Sequence, residues 1–255
     1  MKFTITPTGV NGAVTLSGFH TNYLVRWENR NLLIDAGTLI GRSLHHLGVR
    51  PESIDGVYAS HLHLDHVGGL YEIAYFRYVH GRGPLPVYLH SALAEPIWNN
   101  FLSGLATNFR DLQGRPQIGD RSTFFDFRPI DTTFESPTPG VVIDGLSLRL
   151  VQVDHIPNSP CHGVVLDDRV FVTTDTRFIP ETLDRVANTF GIETIFHDCM
   201  FSEHAKIYHT AYEEILSLPK DLRDLIIMTH YEDVLPLAKE EIEVRLGEAG
   251  VDYQF

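Results

Sequence analysis

Residues 60–69 read Ser-His-Leu-His-Leu-Asp-His-Val-Gly-Gly and set His61, His63, Asp65 and His66 within six positions. Imidazole and carboxylate together suit a zinc-like divalent ion. Residues two apart on an extended segment share a side. The spacing therefore predicts that His61, His63 and Asp65 converge, with His66 turned toward a second ion. The preceding stretch, Asp55-Gly-Val-Tyr-Ala-Ser60, reads as a short buried strand. Gly68-Gly69 is expected to let the backbone turn sharply close to the site. Isolated core or surface histidines rarely form an alternating array at a strand end, so the metal reading takes precedence.

Outward from this stretch, apolar runs bounded by turn residues predict strands at 2–6, 22–27, 31–35, 56–60, 85–89, 122–127, 146–153, 163–166, 170–174, 194–197 and 225–229. Helices are expected at 39–47, 70–77, 93–101, 180–189, 211–217 and 235–249, the last with its charges on a solvated face. Asp167-Asp168 is a hairpin signal. Strands come first and helices then intersperse, which predicts an α/β arrangement of layered sheets with helices outside. No repeat or linker divides the chain, so a single domain over 1–255 is expected. Residues 104–139 are the least regular part, a loop over the site or an interface.

The chain has 255 residues, and its 43% hydrophobic content is enough for a substantial core. A formal net charge of −13 argues against a broad electrostatic grip on nucleic acid. A small anionic substrate stays compatible, because two divalent ions make a pocket locally positive. Two cysteines, Cys161 and Cys199, form no disulfide framework and read as free thiols of a reducing compartment. The opening Met1-Lys2-Phe3-Thr4-Ile5 reads as a strand rather than a leader. No apolar run approaches the ~20 residues of a membrane span. A cytoplasmic protein without a membrane partner is expected.

His-x-His-x-Asp-His after a strand resembles the signature of the metallo-β-lactamase-fold hydrolases. The resemblance implies a four-layer αββα sandwich with a two-metal site at one edge between the sheets. It also implies further ligands at strand ends. His155 follows the run 147–154 and looks like the third histidine of the first ion. Asp175, before Thr176, resembles the aspartate bridging both ions, with Thr174 where the family usually has glycine. His230 follows the run 225–229 and looks like the last histidine of the second ion. The implied set is His61, His63 and His155 on one ion, Asp65, His66 and His230 on the other, and Asp175 between. A bridging carboxylate is sensible, since two cations ~3.5–4 Å apart repel unless an anion separates them. Asp35 resembles the family's early aspartate that orients histidine ligands, although helix capping is nearly as good a reading.

Residues 196–214 resemble the ribonuclease Z branch, in which a His-Glu pair after a strand precedes a His-Ser or His-Thr opening a helix. His209-Thr210 matches the second part, and Thr210 with Glu213 forms a capping box. By resemblance His209 donates to the phosphoryl oxygen or the departing alkoxide, held by Asp198 where the family has Glu. His204 competes for this role without the helix-start context. His155 and Asp175 are 20 residues apart, which leaves room for one hairpin and none for the branch's tRNA-gripping arm. Compact armless relatives include phosphodiesterases of small cyclic nucleotides. The expected protein is thus a dinuclear phosphodiesterase using metal-activated hydroxide, with Asp65 aligning the attack. Zinc is the expected metal, with manganese the alternative, and a small cyclic nucleotide is the expected substrate. Short RNA is the runner-up substrate, and a homodimer is expected by resemblance. Two other readings are a metal-dependent hydrolase of a lactone, thioester or β-lactam, which needs no His209, and a non-catalytic scaffold, which would have degraded ligands.

Overall fold

Along Asn22–Trp27, Tyr23 and Val25 face one core while Leu24 faces another. Side chains on a strand alternate between faces, so a strand apolar at every position must be covered on both sides. The same division recurs in Gly56–Ala59, where Val57 and Ala59 oppose Tyr58. It recurs again in Ile226–Thr229, where Ile226 and Met228 oppose Ile227. Three cores follow, one between two sheets and one between each sheet and its helices. Each fully buried aromatic such as Tyr23, Tyr58 or Phe196 contributes about 1.5–3 kcal/mol to the central core.

The computed structural model describes residues 1–136, 140–202 and 204–255. One sheet runs Tyr253–Gln254, Thr4–Gly9, Asn22–Trp27, Arg30–Ile34, Gly56–Ala59, Leu85–His90, Phe125–Ile130. The other runs Arg245–Leu246, Ile226–Thr229, Thr194–Asp198, Val170–Val172, His162–Leu166, Leu146–Gln152, Val141–Ile143. The strands from Arg30 to Ile130 are parallel neighbours in the first sheet. Val170–Val172, Thr194–Asp198 and Ile226–Thr229 are parallel in the second. Parallel strands end together, so the loops after them gather at one edge. Helices Ile40–His46 and Leu70–Val79 cover the first sheet, and Pro180–Phe190 and Tyr212–Leu216 the second. This is the expected αββα order. Asp167 and Asp168, both at positive φ, make the expected hairpin between His162–Leu166 and Val170–Val172.

Three expectations need correction. Residues 235–249 form no helix; they hold a 3-10 turn at Lys239–Glu241 and a short strand at Arg245–Leu246. Ile242, Val244 and Leu246, the residues that pack into the outer core, lie two apart, a strand spacing. The strand expected at 122–127 begins as the helical turn Arg121–Phe124, capped by Asp120, and becomes strand at Phe125. Residues 104–136 are ordered as helical turns, a small hairpin of Asn108–Arg110 with Pro116–Ile118, and that edge strand. Residues 137–139, the end of the irregular region, and Glu203 lie outside the described residues. Among the described residues no helix is long and apolar enough to cross a membrane.

Candidate metal centre

His61, His155, Asp175 and His230 each lie one to three residues beyond a strand, at the shared edge. The two sheets are tied beneath them. The Tyr58 hydroxyl donates to the His162 carbonyl at 2.9 Å, and the Tyr23 and Thr229 hydroxyls bond at 2.8 Å. These cross-sheet links fix how far apart the two sets of loops sit.

The local geometry of residues 60–69 differs from the extended segment expected. His63 is the last extended residue, with φ −74° and ψ 151°, and it precedes a single helical turn, Leu64–Val67. Asp65 and His66 are adjacent on that turn and point into one cluster with Asp175 and His230, while His61 and His63 join His155 and Asp175. Asp65 therefore leaves the side shared by the two histidines before it. Gly68 and Gly69 also act differently: both hold negative φ. A Cβ on Gly68 would sit 2.4 Å from the Leu64 oxygen, and one on Gly69 would sit 2.4 Å from the Gly37 oxygen. Close backbone approach, not an unusual turn, requires glycine here.

In the first cluster His155 Nε2 lies 3.1 Å from His63 Nδ1. Asp175 Oδ2 lies 3.6 Å from His155 Nε2 and 3.9 Å from His61 Nε2. In the second, His66 Nε2 lies 3.1 Å from Asp175 Oδ1 and 3.2 Å from Asp65 Oδ2, and His230 Nε2 lies 3.4 Å and 3.6 Å from the same two residues. Asp175 thus faces both clusters. Three histidines are oriented through their other nitrogen. His66 Nδ1 donates to Asp35 at 2.7 Å and His155 Nδ1 to the Tyr208 carbonyl at 2.8 Å. His61 Nδ1 bonds Ser60 Oγ at 3.0 Å, and that hydroxyl donates to Asp35 at 2.8 Å. In its neutral form each of these rings leaves the lone pair on Nε2, aimed at the cluster.

Burial holds the His61 imidazole well below its ordinary pKa. It lowers His155, and with His155 beside it lowers His63. The lowered values favour neutral rings, the form in which imidazole can bind a metal ion. On the other side burial, which alone would lower His66 and His230, is overcome by carboxylates. Asp175 and Asp65 raise His66 well above its ordinary value, and Asp175 and Asp198 raise His230 to about 9. Burial alone would raise Asp175, but His230 and His66 hold it well below the carboxylate range. The second cluster is a buried negative site that recruits protons in the absence of a stronger cation. His61 Nε2, His66 Nε2 and His230 Nε2 are buried with no hydrogen-bond partner. Such orphaned nitrogens are costly unless something outside the chain satisfies them. Nitrogen and carboxylate donors gathered in this way fit divalent ions of the zinc type.

Asp198 Oδ2 accepts from His209 Nδ1 at 2.8 Å and from the Thr176 amide at 2.9 Å, while Asp198 Oδ1 lies 3.5 Å from His230 Nδ1. The His209 ring stacks on His230, with centroids 4.6 Å apart. His209 is therefore brought to the second cluster, whereas His204 is exposed and stays outside. The capping box is not the expected one. Glu214, not Glu213, caps the helix by accepting from the Ala211 amide, and the Thr210 hydroxyl donates to the Thr176 carbonyl, stitching the His209 segment to that of Asp175.

Sequence reading missed two supports. The Asn22 side chain donates to the Asp65 carbonyl and accepts from the Gly37 amide, and Ser60 relays between Asp35 and His61. No spacing marks either residue. Cys161 and Cys199 are buried free thiols.

Fold and donor set define a metal-dependent hydrolase of the metallo-β-lactamase fold. A metallo-β-lactamase-fold protein of Bacillus subtilis superposes with a TM-score of 0.74 at 16% identity, covering 100% of both chains. The short form of human tRNase Z gives 0.70 at 16% identity, covering 98% of both chains. The chain belongs to the family described as Anti-Pycsar protein Apyc1, whose model matches residues 3–250. The Anti-Pycsar protein Apyc1 of Paenibacillus harenae is 33% identical over 228 residues, 89% of each chain.

Proposed function

We propose that this protein is a two-metal phosphodiesterase of small cyclic nucleotides, cyclic pyrimidine mononucleotides first, acting in the cytoplasm. The observation that carries the reading is His209. It lies outside the His61–His63–His155 and Asp65–His66–His230 sets and forms a third group with Asp175, Asp198 and His230, in which Asp198 fixes it over His230 at the same edge. Burial alone would lower its pKa, but the Asp198 carboxylate raises it, which keeps a proton available near neutrality. The relatives' Anti-Pycsar name supports a cyclic pyrimidine nucleotide as the substrate. Between His155 and Asp175 lie a loop and the hairpin of His162–Leu166 with Val170–Val172, so this interval holds no arm for gripping a large RNA. Two buried free thiols suit a reducing compartment.

His61, His63 and His155 would hold one ion, and Asp65, His66 and His230 the other, with Asp175 shared. Divalent ions held there would lower the pKa of water towards ~7 and draw charge from phosphoryl oxygens. Asp65 would accept a hydrogen bond from the attacking hydroxide, whose other proton has already gone to solvent, and align it opposite the leaving oxygen. As the new P–O bond forms and the ester bond breaks, His209 gives its proton to the departing alkoxide. A groove of 770 Å³ beside His155, walled by Phe134, Gln152, Asn158 and Thr182, offers room for the rest of the substrate.

The test is hydrolysis by metal-supplemented protein of cyclic mono- and dinucleotides, short RNA, bis-(p-nitrophenyl) phosphate, and lactone and thioester esters. Cyclic mononucleotides are expected to turn over fastest. Activity confined to lactones or thioesters would overturn the reading.

A further inference from the structure

At the opposite end of the same parallel strands lies a second, differently charged cavity. Arg30 opens Arg30–Ile34, Asp55 precedes Gly56–Ala59, and Pro86 is the second residue of Leu85–His90. These residues help enclose a cavity of 420 Å³. Four strand residues separate it from His61, roughly 13 Å at the strand rise, so it is distinct from the metal edge. Four arginines line it, Arg30, Arg77, Arg82 and Arg128, with two aspartates, Asp55 and Asp144, and a third aspartate, Asp126, is paired with Arg128 from outside the wall. In a chain of net charge −13 this is a local reversal of sign.

The aspartates are already shared. Asp55 lies 3.6 Å from Arg30 and 3.4 Å from Arg82, both long contacts, and it also accepts from the Asn31 amide at 2.9 Å. Asp144 pairs with Arg30 at 2.9 Å. Arg77 is 7% exposed. Its guanidinium donates to the carbonyls of Ile54 and Gly83, and among the described residues it pairs with no carboxylate. A buried guanidinium in that state is costly; burial and the neighbouring Arg82 depress its pKa. Trp27 and Tyr88 supply flat apolar walls, and Arg128 lies over the Tyr88 ring, donates to its hydroxyl at 2.8 Å and pairs with Asp126 at 2.8 Å. Planar guanidinium forks beside aromatic faces match phosphate oxygens and a ring attached to them.

We infer that this cavity is a second anion site, taking a small phosphate-bearing molecule up to the size of a mononucleotide, away from the metal centre. The inference does not depend on the identity of the substrate.

The chain has two tryptophans, Trp27 and Trp98, so Trp98→Phe leaves Trp27 as a reporter in the cavity wall. Metal-loaded Trp98→Phe protein is titrated with inorganic phosphate, pyrophosphate and CMP, and Trp27 emission is followed. A saturable change is expected with at least one of the three, and the anion that saturates lowest identifies the ligand class. Adding Arg82→Ala and Arg128→Ala, both half-exposed rim residues, should weaken it at least about tenfold and leave turnover unchanged. The site does not exist if none of the three gives a saturable change, or if the double variant binds as tightly.

Discussion

The two halves of the metal centre are built from opposite chemistry. His61, His63 and His155 form a set of neutral rings, one of them exposed, whose pKa values burial and mutual repulsion depress. Asp65, His66 and His230 form a fully buried set in which carboxylates force the histidines toward the charged form. The first half has lone pairs awaiting a cation; the second holds excess negative charge that protons partly neutralise. If each half holds an ion, as proposed, the two should load with different proton counts, since each ligand must be deprotonated to bind.

The sharpest way to break the comparison is to remove what the halves share. Asp175 faces both clusters, so Asp175→Ala should leave less than one equivalent of tightly bound metal and reduce turnover by well over the 10²–10⁴-fold of a lost acid–base group. Full metal content in that variant, read by elemental analysis, would separate the halves entirely. His209→Ala comes next: turnover should drop by about 10²–10⁴-fold with metal content intact, because His209 is tied to Asp198 and not needed by either set. Unchanged activity would remove His209 from the mechanism.

Asp35 tests the supports. It holds His66 directly and His61 only through Ser60. Asp35→Ala should therefore weaken metal binding by about 10–100-fold, and more at the second half than at the first. Competition with a chelator over two resolved binding steps reads the difference. Equal loss at both steps would mean the relay through Ser60 is as firm as the direct bond.

Proton linkage distinguishes the halves without mutation. In metal-free protein the His230 pKa rises from 6.5 to about 9. A raised folded-state pKa contributes stability fully present below pH 6.5 and lost as pH climbs through about 9, up to about 3 kcal/mol. The depressed rings of the first half act oppositely. Their contribution is present above pH 6.5 and lost as pH falls. Metal-free protein should thus lose melting temperature between pH 7 and 9, and metal-loaded protein, whose second half no longer needs protons, should not. Parallel curves with and without metal would sink this account.

Much of this centre could be read from the chain because strand ends are marked locally. A β-type run ends just before His61, His155, Asp175 and His230, and where a run is apolar at successive positions it declares burial on both faces. What escaped depends on contacts between distant segments. The turn at Leu64–Val67 that parts Asp65 from His63 has no periodic signature in four residues. Asn22 becomes a support only because Gly37 and Asp65 are folded against it. The mistaken helix at 235–249 failed for a related reason: its charges fit a solvated helix, but Ile242, Val244 and Leu246 had a sheet edge to pack on. The arginines around the far cavity are scattered from Arg30 to Arg128, so only the sheet brings them together.

The smallest expected effect concerns the backbone that joins the halves. Asp35, Thr174 and His230 all turn through positive φ, at 63°, 56° and 65°. Asp tolerates that region moderately, but a β-branched Thr does so poorly. Thr174 immediately precedes Asp175, so the turn aims the shared carboxylate, and the usual glycine of the resembling hydrolases has a physical reason here. The Thr174 hydroxyl is buried without a partner, so deleting it loses no hydrogen bond. Thr174→Gly should remove about 1–2 kcal/mol of strain and return roughly half to unfolded-chain entropy. The net gain is about 1 kcal/mol, a rise of roughly 2–4 °C in melting temperature, with metal content and turnover preserved. A fall in melting temperature would show that the Thr174 methyl group packs more favourably than its backbone is strained, and that Asp175 is aimed by side-chain packing, not by the turn.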